Sequence, residues 1–118
     1  MNEKVGVKIT SRENVAIINF TTSSISDAEG ILSVAEQLKE FIKKRHPEKV
    51  VFDFEGVKFF SSQLLGMLLG IRAELKTYNG EVVISAINPQ LHRVFRITNL
   101  DRVFRFFPDR QSAIGVVP

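Results

Sequence analysis

The stretch FFSSQLLGMLLG, residues 59–70, sets two adjacent hydroxyls, Ser61 and Ser62, between a strand-like apolar run and an apolar helical pattern. No glycine or proline makes a loop there, so the serines themselves mark the junction. Two roles suit them. Serine is a preferred helix N-cap, worth about 1 kcal/mol over alanine, and one hydroxyl is enough for that. The second is free for chemistry. A phosphate at a helix start faces amide groups with no intrahelical partner and the positive end of the helix dipole. Such a dianion leaves the fold intact yet is poorly tolerated in an apolar protein contact. Cap and switch are both open readings at this point.

Other chemistry is thinly represented. The two histidines, His46 and His92, have no Ser/Asp arrangement beside them in sequence, and GxSxG, HExxH, Walker and GxGxxG patterns are absent. The chain therefore does not read as an enzyme. It has no cysteine, which excludes disulfides and thiolate chemistry and suits a reducing compartment. Two separated histidines make a zinc site unexpected, and nothing in the sequence asks for a cofactor. Asp53 and Glu55 stand two apart, which on a strand puts both on one face, where they could hold a hard cation. The favoured reading of Asp53 is structural, a carboxylate bonded to loop amides at a strand end.

The 118 residues suggest one domain, 1–118, with a bulky apolar core supplied by ten phenylalanines. The formal charge of +3 is unevenly placed. Residues 1–87 balance, whereas residues 88–118 carry Arg93, Arg96, Arg102, Arg105 and Arg110 against Asp101 and Asp109. A solvated face with some ion pairs is the ordinary reading. An anionic partner is the other, although no aromatic-interleaved reader motif supports nucleic acid. No segment approaches the roughly 20 apolar residues of a membrane helix. The N-terminus is too polar for a signal peptide, and a cytoplasmic location is the expectation.

The elements that must position the serines follow from periodicity. Alternation predicts strands over 5–10 and 15–20, joined as a hairpin through Arg12-Glu13-Asn14. A polar loop, 21–27, ends at Ser26 or Asp27, either of which can cap a helix over 28–46. That helix carries Ile31, Val34, Leu38, Phe41 and Ile42 on one face and closes on Lys43-Lys44-Arg45-His46 before Pro47. Residues 49–54 read as a strand buried on both faces. A helix runs from 62 to near Tyr78. Its Gly66 and Gly70 share a side, where they let it lie close to a neighbour. A strand over 81–87 follows, then a helix opened by Asn88-Pro89 and ending near Thr98-Asn99. A short strand over 103–107 and a final helical turn or two within 109–117 complete the chain. Strands alternating with helices, after an antiparallel start, imply an α/β fold with a mixed, mostly parallel sheet.

The run KVVFDFEGVKFFSSQLLGMLLGIRAELKTYNGEVVISAINPQLHRVFRITNLDRVFRF resembles the STAS domain family, especially bacterial anti-sigma factor antagonists. In that family an apolar strand ends in Asp, matched by Asp53. An Asp-Ser-Ser/Thr-Gly-Leu-Gly junction then opens an apolar helix, whose glycines fall on Gly66 and Gly70. The family's closing "LTGLDRVF" corresponds to FRITNLDRVFRF. The resemblance implies a STAS-like fold and a partner, an anti-sigma factor with serine-kinase activity. The unphosphorylated antagonist sequesters that partner, which inactivates it by phosphorylation. The ungapped match puts the acceptor at Ser62, with Ser61 as second choice in place of the family's Asp; Gln63 and Leu64 also depart from the pattern. The implied contact surface is the 21–27 loop, the 56–62 loop and the helix start, with Ser26, Asp27, Phe60, Ser61, Ser62 and Gln63 in it. A STAS scaffold module that is never phosphorylated, in a larger signalling assembly, is the alternative.

Overall fold

The computed structural model describes residues 5–115. The order is β1 (Val7–Arg12), β2 (Val15–Phe20), β3 (Ser24–Ile25), α1 (Ala28–Arg45), β4 (Lys49–Asp53), β5 (Phe59–Phe60), α2 (Ser62–Lys76), β6 (Glu81–Ser85), α3 (Pro89–Ile97), a 3-10 turn at Leu100–Arg102, β7 (Arg105–Phe107) and α4 (Arg110–Ile114). Five strands form one sheet in the order β1-β2-β4-β6-β7. Only the β1–β2 pairing is antiparallel. The α/β class and the mixed, mostly parallel sheet are as expected from the sequence.

Several boundaries shift for local reasons. The hairpin turn is only Glu13-Asn14, and pairing runs from Val7 with Phe20 to Arg12 with Val15. The ladder therefore carries β1 through polar Ser11 and Arg12, two residues beyond the alternating stretch. α1 stops at Arg45 because His46 adopts a left-handed conformation (φ 47°), with its amide donating to the Ile42 carbonyl. α2 ends at Lys76, since Thr77–Asn79 form a turn. Ala86, at φ 55°, ends β6. The last strand is confined to Arg105–Phe107, because Leu100–Arg102 coil into a 3-10 turn and Phe104 drops into the core. α4 occupies part of the expected 109–117 segment; residues 116–117 lie outside the described residues.

β4 is buried along nearly its whole length, and the two faces of the sheet show why. Val50, Phe52, Ile18, Val82 and Ile84 pack beneath Ile31, Val34 and Leu38 of α1, Leu64, Leu68 and Ile71 of α2, and Leu91 and Phe95 of α3. The alternate residues Ile17, Val51 and Val83 face the other way and are covered by Ala113 of α4. On the first face a chain of rings crosses the core. Phe52, Phe20, Phe54, Phe60 and Phe95 follow one another at centroid distances of 6.1, 5.3, 6.0 and 5.8 Å. Such aromatic pairs add about 0.5–1.5 kcal/mol each beyond the area they bury. The fourth ring of the chain, Phe60, belongs to β5 and ties the junction before Ser61 to the core.

Candidate functional site

The sequence pattern did not anticipate β3 and β5, and these two-residue strands build the site. They pair in parallel, Ser24 with Phe59 and Ile25 with Phe60. The Lys58 and Phe59 amides donate to the Ser23 carbonyl, and the Ser61 amide donates to that of Ile25 at 2.9 Å. One residue into the helix, Gln63 Nε2 reaches the Ala28 carbonyl at 3.2 Å. The 21–27 loop, the 56–62 loop and the start of α2 therefore lie side by side at the end where β2 and β4 leave the sheet. Ser26, Asp27, Ser61, Ser62 and Gln63 are gathered there.

Their individual roles differ. Asp27 caps α1, accepting from the Gly30 amide at 3.2 Å, while Ser26 is exposed. Ser61 occupies the N-cap position of α2 but makes no side-chain cap bond. Its Oγ is buried, and among the described residues no protein group bonds to it. The sequence reading of a capping hydroxyl thus fails in a specific way: the position is right and the bond is missing. Ser62, the first helical residue, is exposed. Phe60, expected at the contact surface, is corrected: it is 7% exposed and packs on Phe54 and Phe95. Its neighbour Phe59 is 54% exposed, because successive strand residues point to opposite faces. Residue type could not separate two adjacent phenylalanines; the pairing of β5 does.

α2 begins differently from the other α-helices of the described residues. Asp27, Asn88 and Asp109 cap α1, α3 and α4 through their side chains, at Gly30, Leu91 and Ser112. α2 has neither a side-chain cap nor an acidic residue in its first turn. The positive end of its dipole is uncompensated at Ser62. Nor do its glycines act as expected. A Cβ at Gly66 or Gly70 would meet nothing within 4 Å, so neither position holds a neighbouring element close.

Asp53 lies on the opposite face, 1% exposed and saturated with donors. Its Oδ2 accepts from Asn19 Nδ2 at 3.0 Å and from Arg110 Nε at 3.0 Å, with Arg110 Nη2 at 2.9 Å. Its Oδ1 accepts from the Glu55 amide at 3.2 Å and Ser85 Oγ at 3.3 Å. The loop-amide bond follows the structural reading. The side chains of Asn19, Ser85 and Arg110, distant in sequence, had no local signal. Glu55 is exposed beyond the strand end, so the two carboxylates do not form the shared cation face. No group of three or more metal-binding side chains occurs among the described residues. His46 packs edge-on against Tyr78 and His92 lies against the Phe106 ring; among the described residues neither bonds a serine.

The profile of the STAS domain family matches residues 7–113. The chain belongs to the STAS family. A curated relative from Paenibacillus polymyxa, an anti-sigma F factor antagonist, is 26% identical over 81 residues, covering 69% of each chain. Among solved structures, this STAS domain is similar to an anti-sigma-factor antagonist (STAS) domain protein from Planctomyces limnophilus. The TM-score is 0.82 at 23% identity, over 91% of this chain and 93% of the other. It is also similar to the Bacillus cell fate determinant SpoIIAA in its phosphorylated form, with a TM-score of 0.73 at 17% identity over 93% and 97% of the two chains. These structural likenesses establish a shared STAS fold. No helix among the described residues is long and apolar enough to cross a membrane.

Proposed function

We propose that this STAS domain is an anti-sigma factor antagonist, a binding module and not an enzyme, that works in the cytoplasm and sequesters an anti-sigma factor while Ser62 is unmodified. The partner carries serine-kinase activity and transfers the γ-phosphoryl group of ATP to Ser62 Oγ, releasing ADP and ending the association. The observation that carries this reading is the exposed Ser62 at the start of α2, the one α-helix among the described residues that lacks a side-chain cap. The family membership and the names of the relatives support the partner class. Ser61 is the weaker acceptor, because its Oγ is buried whereas Ser62 is reachable.

The docking surface consists of Ser26, Phe59, Ser62 and Gln63 around the paired loops. A phosphate on Ser62 gains the amides of the first turn and the helix dipole, so the fold tolerates it. The same charge inside a contact that includes Phe59 must be desolvated, so the complex does not. The test is incubation with the cognate anti-sigma factor and ATP, followed by mass spectrometry and binding measurements. Phosphate on Ser62, retained binding by Ser62→Ala and weakened binding by Ser62→Asp are expected. Binding without phosphate on either serine would favour the scaffold module in a larger assembly. Loss of binding in both variants would remove the switch altogether.

A further inference from the structure

We propose that a second copy of this chain docks across α1 and α3, the acidic face of α1 in one copy meeting the arginine face of α3 in the other. The two most exposed large hydrophobic side chains of the described residues are Ile97, at 72%, and Leu32, at 59%. Each is flanked within one helical turn by two charges of one sign, with Lys39 lying two turns beyond Leu32 along α1. Leu32 has Glu29 three residues before it and Glu36 four after it, which places all three on one outward face of α1. Ile97 follows Arg93 by one helical turn and adjoins Arg96, with an open groove along α3 lined by Pro89, Gln90, Arg93 and Arg96. All four charges are exposed, and none belongs to an ion pair among the described residues.

These two faces cannot meet within one molecule. The crossovers β2–α1–β4, β4–α2–β6 and β6–α3–β7 set α1 and α3 apart along the sheet, and α1 packs on α2. Between two copies they fit by charge and by anchor: an apolar side chain flanked by two carboxylates against one flanked by two guanidinium groups. Arginine is among the usual sources of affinity at the centre of a contact, and Leu32 and Ile97 add apolar area to be buried beside it. A two-fold pairing makes the contact twice, α1 on α3 and α3 on α1. Nucleic acid would engage the arginines but leave Leu32 and its carboxylates unused. A membrane would find a single fully exposed apolar residue on a nine-residue helix.

The contact is small, so the association is weak and salt-sensitive. Sedimentation of the full chain over a concentration series at low ionic strength reads it directly. A concentration-dependent dimer that dissociates with added salt is expected. The pair Arg93→Glu/Arg96→Glu and the pair Glu29→Arg/Glu36→Arg should each weaken it by at least about tenfold. Mixing the two charge-reversed proteins should restore a heterodimer, and Leu32→Ser should weaken the dimer with its salt dependence kept. All these positions are on the surface, and thermal unfolding verifies that each variant folds. A monomer at every concentration overturns the proposal, as does an association indifferent to either reversal, or failure of the reversed proteins to pair. A monomeric protein whose arginines bind duplex DNA or phosphatidylserine vesicles would overturn it too, assigning α3 to that ligand instead.

Discussion

The two faces of the sheet treat polar groups in opposite ways within one stretch of chain. On the α4 side, Asp53 is buried and every acceptor direction is used by Asn19, Ser85, the Glu55 amide and Arg110. On the α2 side, Ser61 Oγ is buried with no partner and Ser62 stands in the open. A saturated carboxylate is committed to architecture. It fixes the turn after β4 and holds α4 over Ile17, Val51 and Val83. An uncapped helix start is uncommitted, and a charge arriving there disturbs little of the fold. The same end of the sheet thus joins a fixed half to one whose helix start is left uncapped.

The largest expected effect lies on the committed side. Arg110→Ala leaves a buried carboxylate without its cation, and removing one partner of such a pair costs roughly 3 kcal/mol, the low end of the range because Arg110 is half exposed. Adding Asp53→Asn should recover part of that loss, since the uncompensated charge is gone while an oxygen remains for the Glu55 amide. The exposed Lys44–Glu40 pair supplies the contrast: Lys44→Ala should change stability by no more than about 0.5 kcal/mol. Chemical denaturation of the three variants decides. Equal effects for Arg110→Ala and Lys44→Ala would abolish the distinction between the faces.

On the α2 side the next effect has the opposite sign. Gly66 and Gly70 are interior helix positions with open space where a Cβ would go. Each Gly→Ala change should stabilise by about 0.5–1 kcal/mol, from helix propensity and a less flexible unfolded chain. If the stabilised variants also bind the proposed anti-sigma factor partner less well, those glycines mark part of its footprint. If binding is unchanged, the footprint stays with the paired loops.

What could be read from sequence follows the range of the forces involved. The hairpin, α1, β4, α2, β6 and α3 all announced themselves through local periodicity and capping residues. Burial of β4 on both faces was legible in KVVFDF because the run after Lys49 is apolar and only Asp53 interrupts it. What escaped was set by contacts distant in sequence. β3 and β5 are two residues each, too short for any period, and exist because the Ser23 and Ile25 carbonyls find amides beyond residue 57. Phe60 reads as surface because nothing local separates it from Phe59. Arg110 reads in sequence as part of a solvated basic face, although its guanidinium bonds Asp53 on the α4 side of the sheet. The serine pair was legible from its place between an apolar run and a helix, and only the family resemblance singled out Ser62; that the helix lacks a cap was not legible.

A smaller effect concerns acid. Asp109 caps α4, and the bond from the Ser112 amide, with that residue's hydroxyl contributing, holds its carboxyl below the usual value. A lowered folded-state pKa means that its contribution is present above the ordinary carboxylate range and is lost as pH falls through the lower, folded value. The protection of α4 amides, taken relative to their intrinsic exchange rates, should therefore fall at acid pH before that of the core strands. Asp109→Asn retains a good cap without the titration and should flatten that pH dependence. An α4 that loosens equally in both proteins would place the acid sensitivity elsewhere.

The smallest expected effect is the most discriminating one. A serine that caps its helix costs about 1 kcal/mol when replaced by alanine. Ser61 sits at the cap position without making the bond, and its buried hydroxyl carries a desolvation cost that nothing offsets. Ser61→Ala should therefore leave stability unchanged or raise it by a few tenths of a kcal/mol, whereas Asn88→Ala, which removes a formed cap on α3, should lose about 1 kcal/mol. The difference between the two substitutions measures how far the start of α2 is left unsatisfied. A full capping loss at Ser61 would mean that its hydroxyl holds the helix in solution. Ser62 would then lie beside a compensated dipole, and a phosphate there would gain much less from the helix.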